Sequence, residues 1–187
     1  MGSNKMSTQK KIVLGLLILW VVLLIVFGLV RSGFLIQGKV GVYFFQKQSG
    51  DFLTLVPVER KTKGIITDIS SKIRYALEQL ISGPNSEEAE EFISCVPAET
   101  KLLDVRIDGN LIYVDFDETI ETGGGIKEIR GRLAQIVFTA TQFNPDAGVI
   151  LLINGKEIKS FSGEGITDVE KPMHRDEFLD FLKEERE

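Results

Sequence analysis

From Ile12 to Val30 the chain runs for 19 residues without a charge, and nearly all of them are aliphatic. A helix that crosses a bilayer needs about 20 apolar residues, so this run almost supplies a span alone. Phe34-Leu35-Ile36 extends it if Arg31 directs its charge toward the headgroups. A cleavable signal peptide has a shorter apolar region and small residues at the cleavage site. Val30-Arg31-Ser32-Gly33-Phe34 has no such pattern, and no Cys follows closely enough for lipid modification. Met6 stands where a myristoylation signal wants Ser or Thr. The reading is an uncleaved transmembrane signal anchor over residues 12–36, behind an amino-terminal tail of residues 1–11. Lys5, Lys10 and Lys11 precede the run, while Arg31 and Lys39 follow it. That asymmetry puts the tail in the cytoplasm and the rest of the chain outside it.

The remainder is acidic. Without Lys5, Lys10, Lys11 and Arg31 there remain 18 Lys and Arg against 27 Asp and Glu, a net charge of −9. With no basic cluster, such a domain is poorly suited to grasping phosphate backbones, so nucleic acid is not expected as a partner. Cys95 is the single cysteine, which rules out an internal disulfide and a thiolate zinc site. His174 is the single histidine, and Ser or Cys triads need one beside the nucleophile. Cys95 reads as a small buried hydrophobe, and His174, between Lys171 and Arg175, as solvated.

Hydrophobic periodicity divides the rest into strands and helices. Val40–Phe45 and Phe52–Arg60 read as strands. Ile69, Ile73, Ala76, Leu77 and Leu80 recur at helical spacing, with Thr67 or Asp68 to cap the start and Gly83-Pro84 to stop it. Glu87–Val96 reads as a short acidic helix. Leu103, Val105 and Ile107 alternate with Asp104, Arg106 and Asp108, and Gly109-Asn110 turns the chain into Leu111–Phe116. Ile126, Ile129, Leu133, Ile136, Val137, Ala140 and Phe143 form one face of a long helix. Gly148–Ile153 reads as a strand covered on both sides, and Asn154-Gly155 turns it into Lys156–Phe161. Arg175–Glu185 reads as a helix that lays Phe178, Leu179 and Leu182 on the body. The fold class is α+β: a mixed or antiparallel sheet with two main helices on one face, preceded by a single transmembrane helix.

Three constellations invite a chemical reading. Asp115-Phe116-Asp117-Glu118-Thr119-Ile120-Glu121 alternates oxygens as a calcium loop does. An EF-hand counted from Asp115 wants Gly and Glu where Ile120 and Ile126 stand, so the run reads as a solvated acidic strand end. Gly123-Gly124-Gly125 opens a helix, yet Ile126-Lys127-Glu128 replaces the Lys-Ser/Thr of a phosphate-binding loop, and a flexible connector is expected. A carboxylate pair for glycoside cleavage would need two facing acids, and no spacing singles one out. No catalytic, cofactor-binding or metal-ligating residue is therefore assigned, and no cofactor is expected.

The segment from about Ala76 to Thr167 resembles the sporulation and spore germination (GerMN) domain family. The residues that carry the resemblance are Leu80-Ile81-Ser82-Gly83-Pro84, then Pro97 with Thr100-Lys101-Leu102-Leu103. They continue in the hairpin Val105-Arg106-Ile107 to Tyr113-Val114-Asp115-Phe116, and in Thr139, Thr141-Gln142-Phe143 and Ile153-Asn154-Gly155-Lys156. Where the family commonly has Gly between Pro and Thr, this chain has Ala98-Glu99. The resemblance implies a single-copy α+β module over residues 37–170, with a helical tail over 171–187, tethered to a bacterial membrane on its outer side. It implies no catalytic activity, and as partners the membrane, envelope or sporulation proteins, and further copies of the chain. The alternative is a glycan-binding accessory or hydrolase of the cell wall that uses acids such as Asp115 and Glu164.

Overall fold

The computed structural model describes residues 8–31, 38–47, 53–62, 64, 66–161 and 168–182. It forms two compact units, one with the amino-terminal helix and one that begins at Lys39. Helix α1 covers Thr8–Arg31. Its segment Gln9–Gly28 has a mean hydropathy of 2.8 and none of it is buried in the protein. Long and apolar enough to cross a membrane, α1 fits an anchor. Phe34–Ile36 lie outside the described residues.

The second unit begins with strands β1 (Lys39–Lys47) and β2 (Leu53–Lys61), paired antiparallel. Helix α2 (Ile69–Ser82) follows, and Asp68 caps it by accepting the Ser71 N–H at 2.8 Å. It ends at Gly83, whose N–H reaches the Leu80 carbonyl and whose φ of 76° turns the chain out of the helix. Ile73, Ala76, Leu77 and Leu80 are buried, as the spacing requires, while Ile69 stays exposed.

The expected acidic helix at Glu87–Val96 is absent. Asn85 Oδ1 accepts the N–H groups of Glu87 and Glu88 and turns the chain, and Glu88 takes Arg60 in a two-pronged ion pair. The chain then reaches β1 as the short strand β3 (Phe92–Ile93), so tertiary pairing overrides local helix preference.

Strands β4 (Leu102–Asp108) and β5 (Leu111–Phe116) form the hairpin read from the sequence. Helix α3 (Ile126–Ala140) then crosses over to β6 (Gly148–Ile153), which lies parallel to β5. Asn154 (φ 50°) and Gly155 (φ 78°) make the turn into β7 (Lys156–Glu157). The class is α+β with mixed pairing, and the strands divide between two sheets ordered β2-β1-β3 and β4-β5-β6-β7.

Helix α3 touches α2 and a strand of each sheet. Every residue from Gly131 to Ala140 is buried, far more than one apolar face would give. At Gly131 a Cβ would lie 3.0 Å from the Phe45 ring and 3.4 Å from Cys95 Sγ, so only glycine permits this approach. The helix stops at Ala140, and Phe143, expected on the buried face, is 40% exposed.

The carboxyl-terminal segment differs from the expected α-helix. Met173 bridges to Val149, and Arg175–Leu182 is 3₁₀ with a kink at Phe178. A 3₁₀ turn repeats every three residues, so Phe178 and Phe181 turn toward the core, whereas Leu179 and Leu182 remain exposed.

Candidate functional site

The acidic run that begins in β5 is a solvated strand end only in part, with Glu118 exposed and Asp115 buried. Asp115 is only 9% exposed, and its Oδ1 accepts the Gly155 N–H at 2.9 Å. Asp117 accepts the Lys101 N–H, and Glu118 accepts from the Asn154 side chain at 2.6 Å. That last bond comes first among the causes holding the Glu118 carboxyl below its usual range. The run pins the Asn154-Gly155 turn and the entry to β4. Two of its carboxylates, Asp115 and Asp117, cap backbone N–H groups, and Glu118 holds a side-chain amide. Glu164 lies outside the described residues. Among the described residues no three of His, Cys, Asp and Glu are grouped to hold a metal ion.

The glycine connector is also occupied. Gly123 and Gly124 have φ of 68° and 89°. The Glu128 carboxylate reaches back over Gly124, with Oε2 3.1 Å from where a Cβ would be. A carboxylate in the first turn of α3 favours the helix dipole and would repel a phosphate at the same place. Beneath the connector, Arg132 is 1% exposed and donates to three backbone carbonyls. Its Nε reaches Cys95 at 2.8 Å, Nη1 reaches Ile120, and Nη2 reaches Gly123 at 3.1 Å. Burial lowers its pKa from the usual value, and the Glu128 charge opposes the shift. Arg132 is thus a clamp that ties the Cys95 loop, the 3₁₀ turn Glu118–Glu121 and the connector to α3.

One turn further along, α3 completes a sheet. Strand β3 covers β1 only at Phe45 and Gln46, which leaves the edge at Gly41 and Tyr43 without a strand. Thr139 Oγ1 accepts the Tyr43 N–H at 3.1 Å, and Gln135 Nε2 donates to the Tyr43 carbonyl at 3.2 Å. Gln142 takes both backbone groups of Gly41, at 2.7 and 3.0 Å. Gln135 also donates to the Ile93 carbonyl and accepts the Cys95 N–H. These side chains stand in for a missing strand. With Gly41 and Tyr43 turned toward α3, Val42 and Phe44 face β2, and Pro57 opposite Tyr43 carries its missing N–H on the outer edge.

The two isolated residues also find places. Cys95 is partly buried, and its thiol pKa is pushed up to about 11 by burial, with the Glu128 charge adding to it. It is an inert packing group. His174, expected to be solvated, is half-buried against Gly148, its ring 3.0 Å from where a Cβ would stand. The sequence reading does not single out Arg132 or Gln135, and it names Thr139 and Gln142 only as carriers of the resemblance, without a structural role. Their signal was a polar row at helical spacing beside the apolar one.

An α+β unit whose crossover helix closes one sheet and packs on another is a defined class of small domain. A family model for sporulation and spore germination matches residues 41–159, and the chain belongs to that family. Three solved structures share the fold. A candidate lipoprotein from Clostridium perfringens is 19% identical with a TM-score of 0.50, over 75% of this chain and 89% of that one. The first GerMN domain of the sporulation protein GerM from Bacillus subtilis is 21% identical with a TM-score of 0.52, over 70% of this chain and 92% of that one. The tandem GerMN domains of the same protein are 23% identical with a TM-score of 0.51, over 64% of this chain and 40% of that one. No curated protein matches the chain.

Proposed function

We propose that the protein is a non-enzymatic interaction module held to the bacterial cytoplasmic membrane by α1, with its α+β domain outside the cytoplasm. The observation that carries this reading is the direction of its polar groups. Asp115, Asp117, Arg132 and Gln135 are bonded to the chain's own backbone, as in a scaffold that presents a surface. The orientation rests on the lysine excess before α1. Its partners are envelope or sporulation proteins, further copies of the chain among them.

Incubating the domain with purified peptidoglycan tests the non-enzymatic part, and the expected result is no release of muropeptides. Release would overturn it in favour of a hydrolase. Alkaline phosphatase fused after Glu187 tests the topology, with an active enzyme expected. An inactive phosphatase beside an active cytoplasmic reporter at the same position would reverse the orientation.

A further inference from the structure

Strand β4 is the outer strand of its sheet. The two-residue turn at Gly109-Asn110 makes Asp108 and Leu111 the closing pair of the hairpin. In an antiparallel ladder the bonding direction then alternates. Asp104, Arg106 and Asp108 turn their backbone groups to β5, and Val105 and Ile107 turn theirs outward. Among the described residues these outward groups have no backbone partner beyond the hairpin. Two large apolar side chains flank them, Leu103 at 43% and Ile107 at 41% exposed. On the solvent face of the same strand stand Asp104 and Arg106, the latter stacked 4.0 Å over the Tyr113 ring.

The order of these residues is self-complementary. We propose that β4 pairs antiparallel with β4 of a second copy, in the register centred on Val105, which joins the two sheets across a two-fold axis. This names one partner of the interaction module proposed above and to that extent rests on that reading. In the Val105 register, Asp104 of each copy faces Arg106 of the other, and Leu103 faces Ile107. A slip of two residues in one direction sets Arg106 against Arg106 and Asp104 against Asp108. A slip in the other direction sets Asp104 against Asp104. Opposite charges across a strand pair stabilise it and like charges destabilise it, so the sequence selects one register. A bulge between Leu102 and Asp104 ends the regular ladder and limits the pairing to Leu103–Ile107.

Arg74 of α2 opposes this union. It lies across the start of the edge, 3.4 Å from the Leu103 carbonyl and 2.9 Å from the Asp104 carboxylate. Pairing exchanges that internal contact for Arg106 of the second copy. Arg74 therefore guards an edge that would otherwise pair freely, one of the ways proteins limit edge association.

Sedimentation of the full chain in detergent micelles, over a concentration series, tests the proposal. The wild-type chain should dimerise, and Arg74→Ala should raise the dimer fraction. Asp104→Arg and Arg106→Asp should each weaken the dimer by about tenfold, because two attractive pairs become repulsive. The double variant Asp104→Arg/Arg106→Asp should restore it, which a variant that merely unfolds could not do. Three results would each overturn the proposal: a monomer throughout the series for both wild type and Arg74→Ala, single reversals that leave the dimer unchanged, or a double reversal that does not recover it. The peptidoglycan assay is unaffected by any of these, so the two readings fail separately.

Discussion

The polar row of α3 and the acidic run that begins in β5 both direct side chains at the chain's own polar groups, but the first lies deeper than the second. Arg132, Gln135 and Thr139 are 1% exposed or less, whereas Asp115 is at 9% and Glu118 is exposed. Water can replace a lost contact at Glu118. It is kept from the Ile120 carbonyl, whose bond to Arg132 is buried, while the Cys95 and Gly123 carbonyls beside it are part-buried. The same kind of bond therefore differs in worth by where it sits, since a buried polar atom left unpaired bears its full desolvation cost.

The largest expected effect is at Arg132. Arg132→Ala takes the donor from the buried Ile120 carbonyl and from the part-buried Cys95 and Gly123 carbonyls, at about 1–3 kcal/mol each, so urea melts should show a loss of roughly 3–9 kcal/mol. Leu133→Ala next to it, a purely apolar change, sets the yardstick at about 2–5 kcal/mol. An Arg132→Ala loss well below that of Leu133→Ala would break the comparison. Arg132→Lys should recover little of it, because one ammonium cannot reproduce the planar fork.

Asp115 sharpens the comparison at the intermediate level. Asp115→Ala should cost about 1–3 kcal/mol by freeing the Gly155 N–H, and Asp115→Asn roughly 1 kcal/mol because its oxygen can still accept. Equal melts for Asp115→Ala and wild type would return the run to a merely solvated role. Smaller still is a pH effect at Glu88. The Arg60 hydrogen bond, then the bond from Asn85, hold its carboxyl below the ordinary 4.5 against the opposing effect of burial. A folded-state value below the unfolded one adds stability above pH 4.5 that is lost as pH falls through the folded value. Stability measured between pH 6 and 3 should therefore fall less steeply for Glu88→Gln than for wild type. The mildest probe is Cys95, whose thiol near 11 should react slowly with a disulfide reagent at neutral pH until urea opens the domain.

Much of the fold was legible because local signals agreed with it. Asp68 and Gly83 bracket α2, Gly109-Asn110 turns the β4–β5 hairpin, and Asn154-Gly155 turns β6 into β7. Glu87–Val96 misled because its helical composition is overruled by a distant strand edge, about which local sequence carries no information. The division into two sheets was hidden for a similar reason: nothing in β3, two residues long, announces its partner. The acidic run drew attention through charge, and charge alone does not distinguish a carboxylate facing water from one capping an amide. Arg132 and Gln135 escaped notice because polar residues on a helix ordinarily mark its wet side.

The closure of β1 by Gln142 joins residues 101 positions apart. A ribosome adds roughly 5–20 residues per second, so β1 emerges about 5–20 s before the side chain that seals it. Through that interval the amino-terminal hairpin is open along the line that α3 will later cover, and Pro57 protects only the opposite margin. The growing chain must keep this seam from its neighbours until its last third arrives. Slowing synthesis between residues 62 and 126 should raise aggregation, whereas the same delay after residue 145 should not.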